Sequence, residues 1–342
     1  MSTLNGIPHA PGAWPLLGHG PALFRDPLGF ISSSRAHGDL VQIRLGPHPV
    51  VMVCDPDITQ QVLRDDRTFD KGGPAIERGM ELLGNGLTTC PHSEHRRQRR
   101  LCQPSFCPER LSDYAAVMSA EAETTATSWC DGRVIDVNRE VTGLAAQALV
   151  QTMFSTALPS STRYRTTSDL ATVLEGIFSR MVLPPQLTRL PTPGNRRYGQ
   201  ACSRIRSTIR NIIAERRTAA TDSRDLLSTL LGAVDTDSQG GDGALTDAEV
   251  VDQVVTFFLA GTDTTANTIS WALHLLSQYP RFQERLHTEV DHVLAGSPPA
   301  YAHLEDLEFT RRVITETLRL YPPAWRAWAW ATWPGRVRAR VS

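Results

Sequence analysis

One stretch limits this chain more than any other. From about Thr246 to Gln278 the residues read as a single long helix that is apolar on nearly every side, through Val250, Val251, Val254, Val255, Phe257, Phe258, Leu259, Ile269, Trp271, Leu273, Leu275 and Leu276. A helix of that kind runs through the middle of a protein, and other helices must cover it. Thr246-Asp247-Ala248-Glu249 starts it in capping-box form, with a hydroxyl at the N-cap and a carboxylate three residues on. Pro280 ends it. The segment Ala260-Gly261-Thr262-Asp263-Thr264-Thr265 interrupts its apolar surface with a glycine, an acid and three hydroxyls. Buried polar groups cost free energy unless paired, so this segment needs a reason.

The rest of the composition narrows the field. The chain has 342 residues, 41% of them hydrophobic, enough for a large core. Its formal net charge of −1 implies neither nucleic acid nor an acidic membrane surface as partner. Residues 1–25 are rich in proline and glycine and do not read as a signal peptide. No apolar run reaches the 18 or so residues of a membrane span. Six cysteines, at 54, 90, 102, 107, 130 and 202, form no CxxC pair. They read as reduced thiols in a cytoplasmic protein.

Taken in order, residues 7–22 are an extended, proline-rich lead-in, and Asp26-Pro27 starts a short helix to about His37. Leu40 to Leu45 and Val50 to Cys54, joined through Pro47-His48-Pro49, predict a β-hairpin. Asp55-Pro56 caps a helix to about Asp65. Residues 66–92 read as an irregular glycine-rich loop carrying Leu82, Leu83 and Leu87. Helices are predicted at about 93–103, as two segments within 108–157, and at 163–183, 196–218 and 225–234. A Pro/Leu loop spans 183–194 and a polar loop spans 235–245. Beyond the long helix, 281–294 and 305–321 are amphipathic helices. The expected fold class is mostly α with a minor β-sheet at about 40–54 and a helical core over 93–321.

Three constellations could carry chemistry. Thr264 can bond back to the carbonyl one turn earlier, Gly261 weakens the helix, and together they can open it locally. Asp263 beside Thr264 gives an acid and a hydroxyl able to pass protons into a buried pocket. Glu316 and Arg319, three apart, can pair on one helix face. His95 and Arg99, four apart, present an imidazole and a guanidinium suited to carboxylates, whereas Arg96, Arg97 and Arg100 read as a solvated basic face.

Ala260-Gly261-x-Asp263-Thr264, Glu316-x-x-Arg319 and His95-x-x-x-Arg99 stand in the order and spacing of the cytochrome P450 (cytochrome P-450) family, and the chain resembles that family over residues 10 to about 325. The opening Trp14 to Gly20 and the helix with His95 to Arg100 look most like soluble bacterial, actinobacterial terpene-oxidising members of the pentalenene-oxygenase kind. The resemblance implies a haem b (heme b) monooxygenase of secondary metabolism. It would insert one oxygen atom from O2 into a small lipophilic, terpenoid-type substrate, with electrons from ferredoxin and ferredoxin reductase. It implies Asp263 and Thr264 as the catalytic acid–alcohol pair, Ala260 and Gly261 facing haem and substrate, and His95 and Arg99 on the haem propionates. It implies Glu316–Arg319 as a buried structural ion pair, and Leu82, Leu83, Leu87, Ile177, Met181 and Val182 as substrate lining.

The family's axial cysteine follows its ExxR helix, and here the last cysteine is Cys202. The resemblance therefore implies a P450-type fold, residues 1–325, lacking its C-terminal proximal haem-binding part, and an inactive chain. Residues 326–342 form a Trp/Arg tail unlike the rest, expected to be out of frame. Two other readings stay open. One is a non-enzymatic remnant or helical binding protein for a hydrophobic ligand or partner. The other is a helical enzyme such as a terpene cyclase, which would need clustered acids near Asp235-Thr236-Asp237.

Overall fold

The computed structural model describes residues 6–46, 48–65, 68–155, 165, 166, 168–173, 176, 180, 185–219, 225–235 and 243–323. Ile177, Met181, Val182 and the tail after residue 323 lie outside the described residues. The described helices begin with α1 (Gly20–Arg25), α2 (Pro27–Ser34), α3 (Pro56–Arg64), α4 (Gly73–Leu83), α5 (His92–Cys102), α6 (Pro108–Thr127) and α7 (Val137–Phe154). They continue as α8 (Pro185–Arg189), α9 (Pro193–Ala219), α10 (Leu226–Gly232), α11 (Asp247–Gln278), α12 (Pro280–Leu294) and α13 (Glu308–Leu320). Strands β1 (Leu40–Leu45) and β2 (His48–Val53) pair antiparallel, Leu40 opposite Val53 and Leu45 opposite His48. The fold is thus mostly helical with a two-stranded sheet, as the sequence predicts.

The long helix α11 is the axis of the core. Its Val250, Val251, Val254, Val255 and Phe258 are buried against Val150, Met153 and Phe154 of α7, Ile205, Ile209 and Ile213 of α9, and Leu226, Leu227 and Leu230 of α10. Each such side chain contributes about 1.5–3 kcal/mol of burial. A smaller cluster, with Val41, Ile43, Met52 and Leu23, holds the hairpin to the N-terminal helices. His19 staples the lead-in there. Its Nδ1 accepts from the Arg44 N–H at 2.9 Å, which leaves Nε2 as the donor to the Ala10 carbonyl at 3.0 Å.

Two expectations change. The segment 66–92 is not all loop, because it contains α4. The Pro/Leu loop likewise holds the short α8. The α11 start is as read: Thr246 Oγ1 accepts from Glu249 N–H at 3.2 Å, and the Glu249 carboxylate accepts from Thr246 N–H at 2.8 Å.

Burial pushes the Glu249 carboxyl up, but hydrogen bonds from Arg97 and Thr246 outweigh it and hold the group below the usual glutamate range. A depressed carboxylate stabilises the fold above its unfolded pKa, and the contribution is lost as pH falls through the folded value. Thr246→Ala is therefore expected to cost about 1 kcal/mol at neutral pH. Urea unfolding should show the Glu249 contribution fading below about pH 4.3.

Candidate active-site groove

The polar break in α11 resolves into sides. Thr262 faces the core, fully buried, and its hydroxyl donates to the Phe258 carbonyl at 2.8 Å. Thr264, two residues on and so on the opposite side, donates to the Ala260 carbonyl at 2.6 Å. Asn267 donates both to the Asp263 carbonyl, at 2.9 Å, and to its carboxylate Oδ1, at 3.0 Å, which orients the acid. The helix runs unbroken through these residues, so the expected local opening is not found. The hydroxyls are satisfied by bonding back one turn, which leaves the helical ladder in place.

Gln253, Ala260 and Thr264 share one face of α11, spaced by seven and four residues. Ala260 is exposed on that face although the opposite face is the protein core. Gly261 faces elsewhere: an added Cβ would sit 3.0 Å from Leu149 Cδ2, so this glycine lets α7 approach closely. One turn before Ala260 the Phe106 ring meets Phe257 edge-on at 5.4 Å.

Helix α5 is pinned to the same face by Gln253 Nε2 donating to Gln98 Oε1 at 2.8 Å, both residues fully buried. His95 is half-buried and Arg99 exposed; three before and one after Gln98, they flank that contact on one side of α5. Arg97 and Arg100 are not the solvated basic face the sequence suggested. Arg97 pairs with Glu249 at 2.6 Å, and Arg100 pairs with Asp235 at 2.8 Å. Their partners stand more than 130 residues away in the chain, so helix spacing could not reveal them.

Of the predicted lining, Leu82 and Leu83 are buried in the main core, and Leu87 is half-buried in the loop beyond α4. That loop is fastened by residues that no sequence motif marks. The Asn85 N–H donates to Asp252 Oδ2 at 2.8 Å, and the Leu87 N–H donates to Gln253 Oε1 at 3.0 Å. Gln98 Nε2 donates to the Asn85 carbonyl at 2.9 Å, and Lys71 Nζ donates to the Leu87 carbonyl at 2.6 Å. Two buried polar residues in the apolar run of α11, Asp252 and Gln253, were the signal available, because each needs a partner.

Glu316 and Arg319 form a bidentate pair at 2.6 and 2.7 Å, and the Arg319 hydrogen bond holds the Glu316 carboxyl below its usual range. The pair is not buried as expected: its side chains are 54% and 66% exposed. The α13 face turned to α11 is instead centred on the fully buried Thr317, and Glu316 and Arg319 point away from it. Nearby, Trp271 of α11 stacks on Tyr321 at 3.9 Å. Among the described residues no three His, Cys, Asp or Glu side chains are placed to hold a metal ion. Asp235, the acid nearest to a cyclase-type cluster, is tied to Arg100.

The site thus brings an acid and a hydroxyl of the central helix, Asp263 and Thr264, near the helix that carries His95 and Arg99, which the Gln253–Gln98 bond pins beside them. The chain belongs to the cytochrome P450 family, whose model, described as Cytochrome P450, matches residues 8–327. It is 46% identical over 316 residues to a pentalenene oxygenase of Streptomyces avermitilis, covering 92% of this chain and 70% of that one. It is 43% identical to two Streptomyces melanosporofaciens proteins, a cyclooctat-9-en-7-ol 5-monooxygenase and a cyclooctatin synthase. Those matches cover 93% and 92% of this chain and 69% of each relative. The family is one of haem oxidoreductases that use redox partners and small substrates. No helix among the described residues is long and apolar enough to cross a membrane.

Proposed function

We propose that this chain forms the distal, oxygen-side wall of a haem b monooxygenase acting on a small lipophilic molecule of terpenoid type, with ferredoxin and ferredoxin reductase supplying electrons. The observation that carries the reading is the exposed Ala260, with the half-buried Asp263 and Thr264 just beyond it, on the side of α11 away from its core-facing residues. The three relatives, two of them named as oxygenases of terpenoid-type compounds, support the substrate class. When bound, haem supplies the site of O2 reduction. The residues then act as follows.

Thr264 has its proton committed to the Ala260 carbonyl, so its oxygen is left to accept a hydrogen bond from a protonated group in the groove. Asp263, oriented by Asn267, stands one position away and can take up and hand on protons. Ala260 offers only a methyl group, which leaves room for a flat ligand above the helix. Arg99 and His95 are donors suited to the two carboxylates at a porphyrin's edge. The distal residues therefore suit haem. A proximal thiolate donor is not among them, because no cysteine follows Cys202, and we infer that these 342 residues alone do not support the full reaction.

Haemin titration followed by tryptophan quenching tests the distal part. Arg99→Ala is expected to weaken binding about tenfold or more and His95→Ala somewhat less, as befits charge-assisted hydrogen bonds of about 1.5–3 kcal/mol. Unchanged affinity in both variants would remove the propionate assignment.

A further inference from the structure

The loop over residues 84–90 lies at the N-terminal end of the groove face, fastened to α11 through Asp252 and Gln253. Asp252 is the junction of three elements. It accepts the Asn85 N–H, and it pairs with Arg206 of α9 at 2.5 Å. Arg206 in turn donates to the Leu82 carbonyl at 2.9 Å. One arginine–aspartate pair thus ties the loop, α9 and the central helix together.

Two glycines are built to this junction. Gly84 has φ +61, and a side chain there would overlap the Asp252 carboxylate. Gly86 presses on Thr256, and an added Cβ would meet the Thr256 hydroxyl and sit 2.8 Å from the Asp252 carbonyl. Under this close fit the Thr256 Oγ1 is buried without any hydrogen-bond partner. An unsatisfied hydroxyl penalises the closed loop, and water could reach it if the loop lifted.

We propose that Asp252 and Thr256 are positioning residues that set an open–closed balance of the 84–90 loop. The Asp252–Arg206 pair holds the loop down on the groove and the orphaned Thr256 hydroxyl opposes it. Lifting the loop would free Leu87 and widen the entry to the face that carries Ala260 and Thr264. The inference rests on the groove reading for its meaning to the reaction, but its test needs no haem, so either can fail alone.

The sole lysine of the chain makes a direct probe. A lysine-specific protease can cut only after Lys71, whose ammonium is held on the Leu87 carbonyl at 2.6 Å. Cleavage there, together with amide exchange at Asn85 and Leu87, reports loop opening on the native 342-residue chain. Asp252→Asn keeps an acceptor for the Asn85 N–H but loses the charge pair. It is expected to speed both readouts about tenfold while exchange in α7 stays unchanged. Thr256→Val removes the orphaned hydroxyl at nearly constant volume and is expected to slow both by a similar factor. Shifts of the two variants in the same direction, no shift in either, or a change spread equally over α7 would overturn the proposal.

Discussion

Reduced with haem added and exposed to carbon monoxide, these 342 residues are expected to show no red-shifted Soret band of the thiolate-ligated kind. The reason lies in where the six thiols stand. A thiol that is to serve as a metal ligand must be deprotonated and accessible. Cys90, Cys102 and Cys202 are buried. Burial pushes the Cys102 thiol up to about 12, and it raises those of Cys90 and Cys202 as well. Such groups stay protonated near neutral pH and behave as small hydrophobes. Cys54 adjoins the hairpin cluster, and Cys130 is exposed in the turn after α6. In this family a thiolate ligand would supply the electron density that favours O–O cleavage. A spectrum typical of nitrogen or water ligation, at normal haem stoichiometry, is the expected outcome. A thiolate-type band would refute it. Cys107→Ser would then identify the donor, since Cys107 follows Phe106, whose ring rests on Phe257 one turn before Ala260.

Much of this architecture is readable from spacing. The capping box of Thr246 and Glu249, the proline stop at Pro280 and the apolar surface between them determine α11 almost to the residue. The hairpin follows from alternation and a turn, and the helix after Asp55-Pro56 from its cap. Local patterns suffice wherever a residue's partner lies within one or two turns. They fail where the partner is remote. Arg97, Arg100 and Arg206 look like generic surface arginines, yet each finds an acid on another element. Gly84 and Gly86, just after α4, read only as part of a glycine-rich loop because the close contacts they permit, with Asp252 and Thr256, exist only after folding. Thr262, Asp263, Thr264 and Thr265 stand together in one short polar run, but the helix sends them to different sides. Thr262 packs into the core and Thr264 toward the groove. The segment therefore marks the site without naming which of its members can act there.

Asp225→Ala is expected to destabilise the fold by about 3–5 kcal/mol, several times the loss from Thr246→Ala. Asp225 is fully buried and does two things. Its Oδ1 caps α10 by accepting the Ser228 N–H at 2.8 Å, and its Oδ2 lies 2.8 Å from Arg216 Nη1, an ion pair by distance but without hydrogen-bond geometry. Arg216 is only 10% exposed, and it also donates to the Phe154 carbonyl, at the end of α7, and to Ser228 Oγ, each at 2.8 Å. Truncating the acid leaves a guanidinium buried without its counter-charge and uncaps the helix together. The cap alone is worth about 1 kcal/mol, so most of the loss is the stranded charge. Asp225→Asn separates the parts: asparagine caps as well as aspartate, and what it loses is the ion pair. Arg216→Met made on the Asp225→Ala background removes the stranded charge and should restore a large share of the loss, a positive coupling that a double-mutant cycle in urea measures directly. If Asp225→Ala costs no more than a cap, or if Arg216→Met rescues nothing, the pair is not holding α7, α9 and α10 together. The support behind the buried face of the long helix must then come from apolar packing alone.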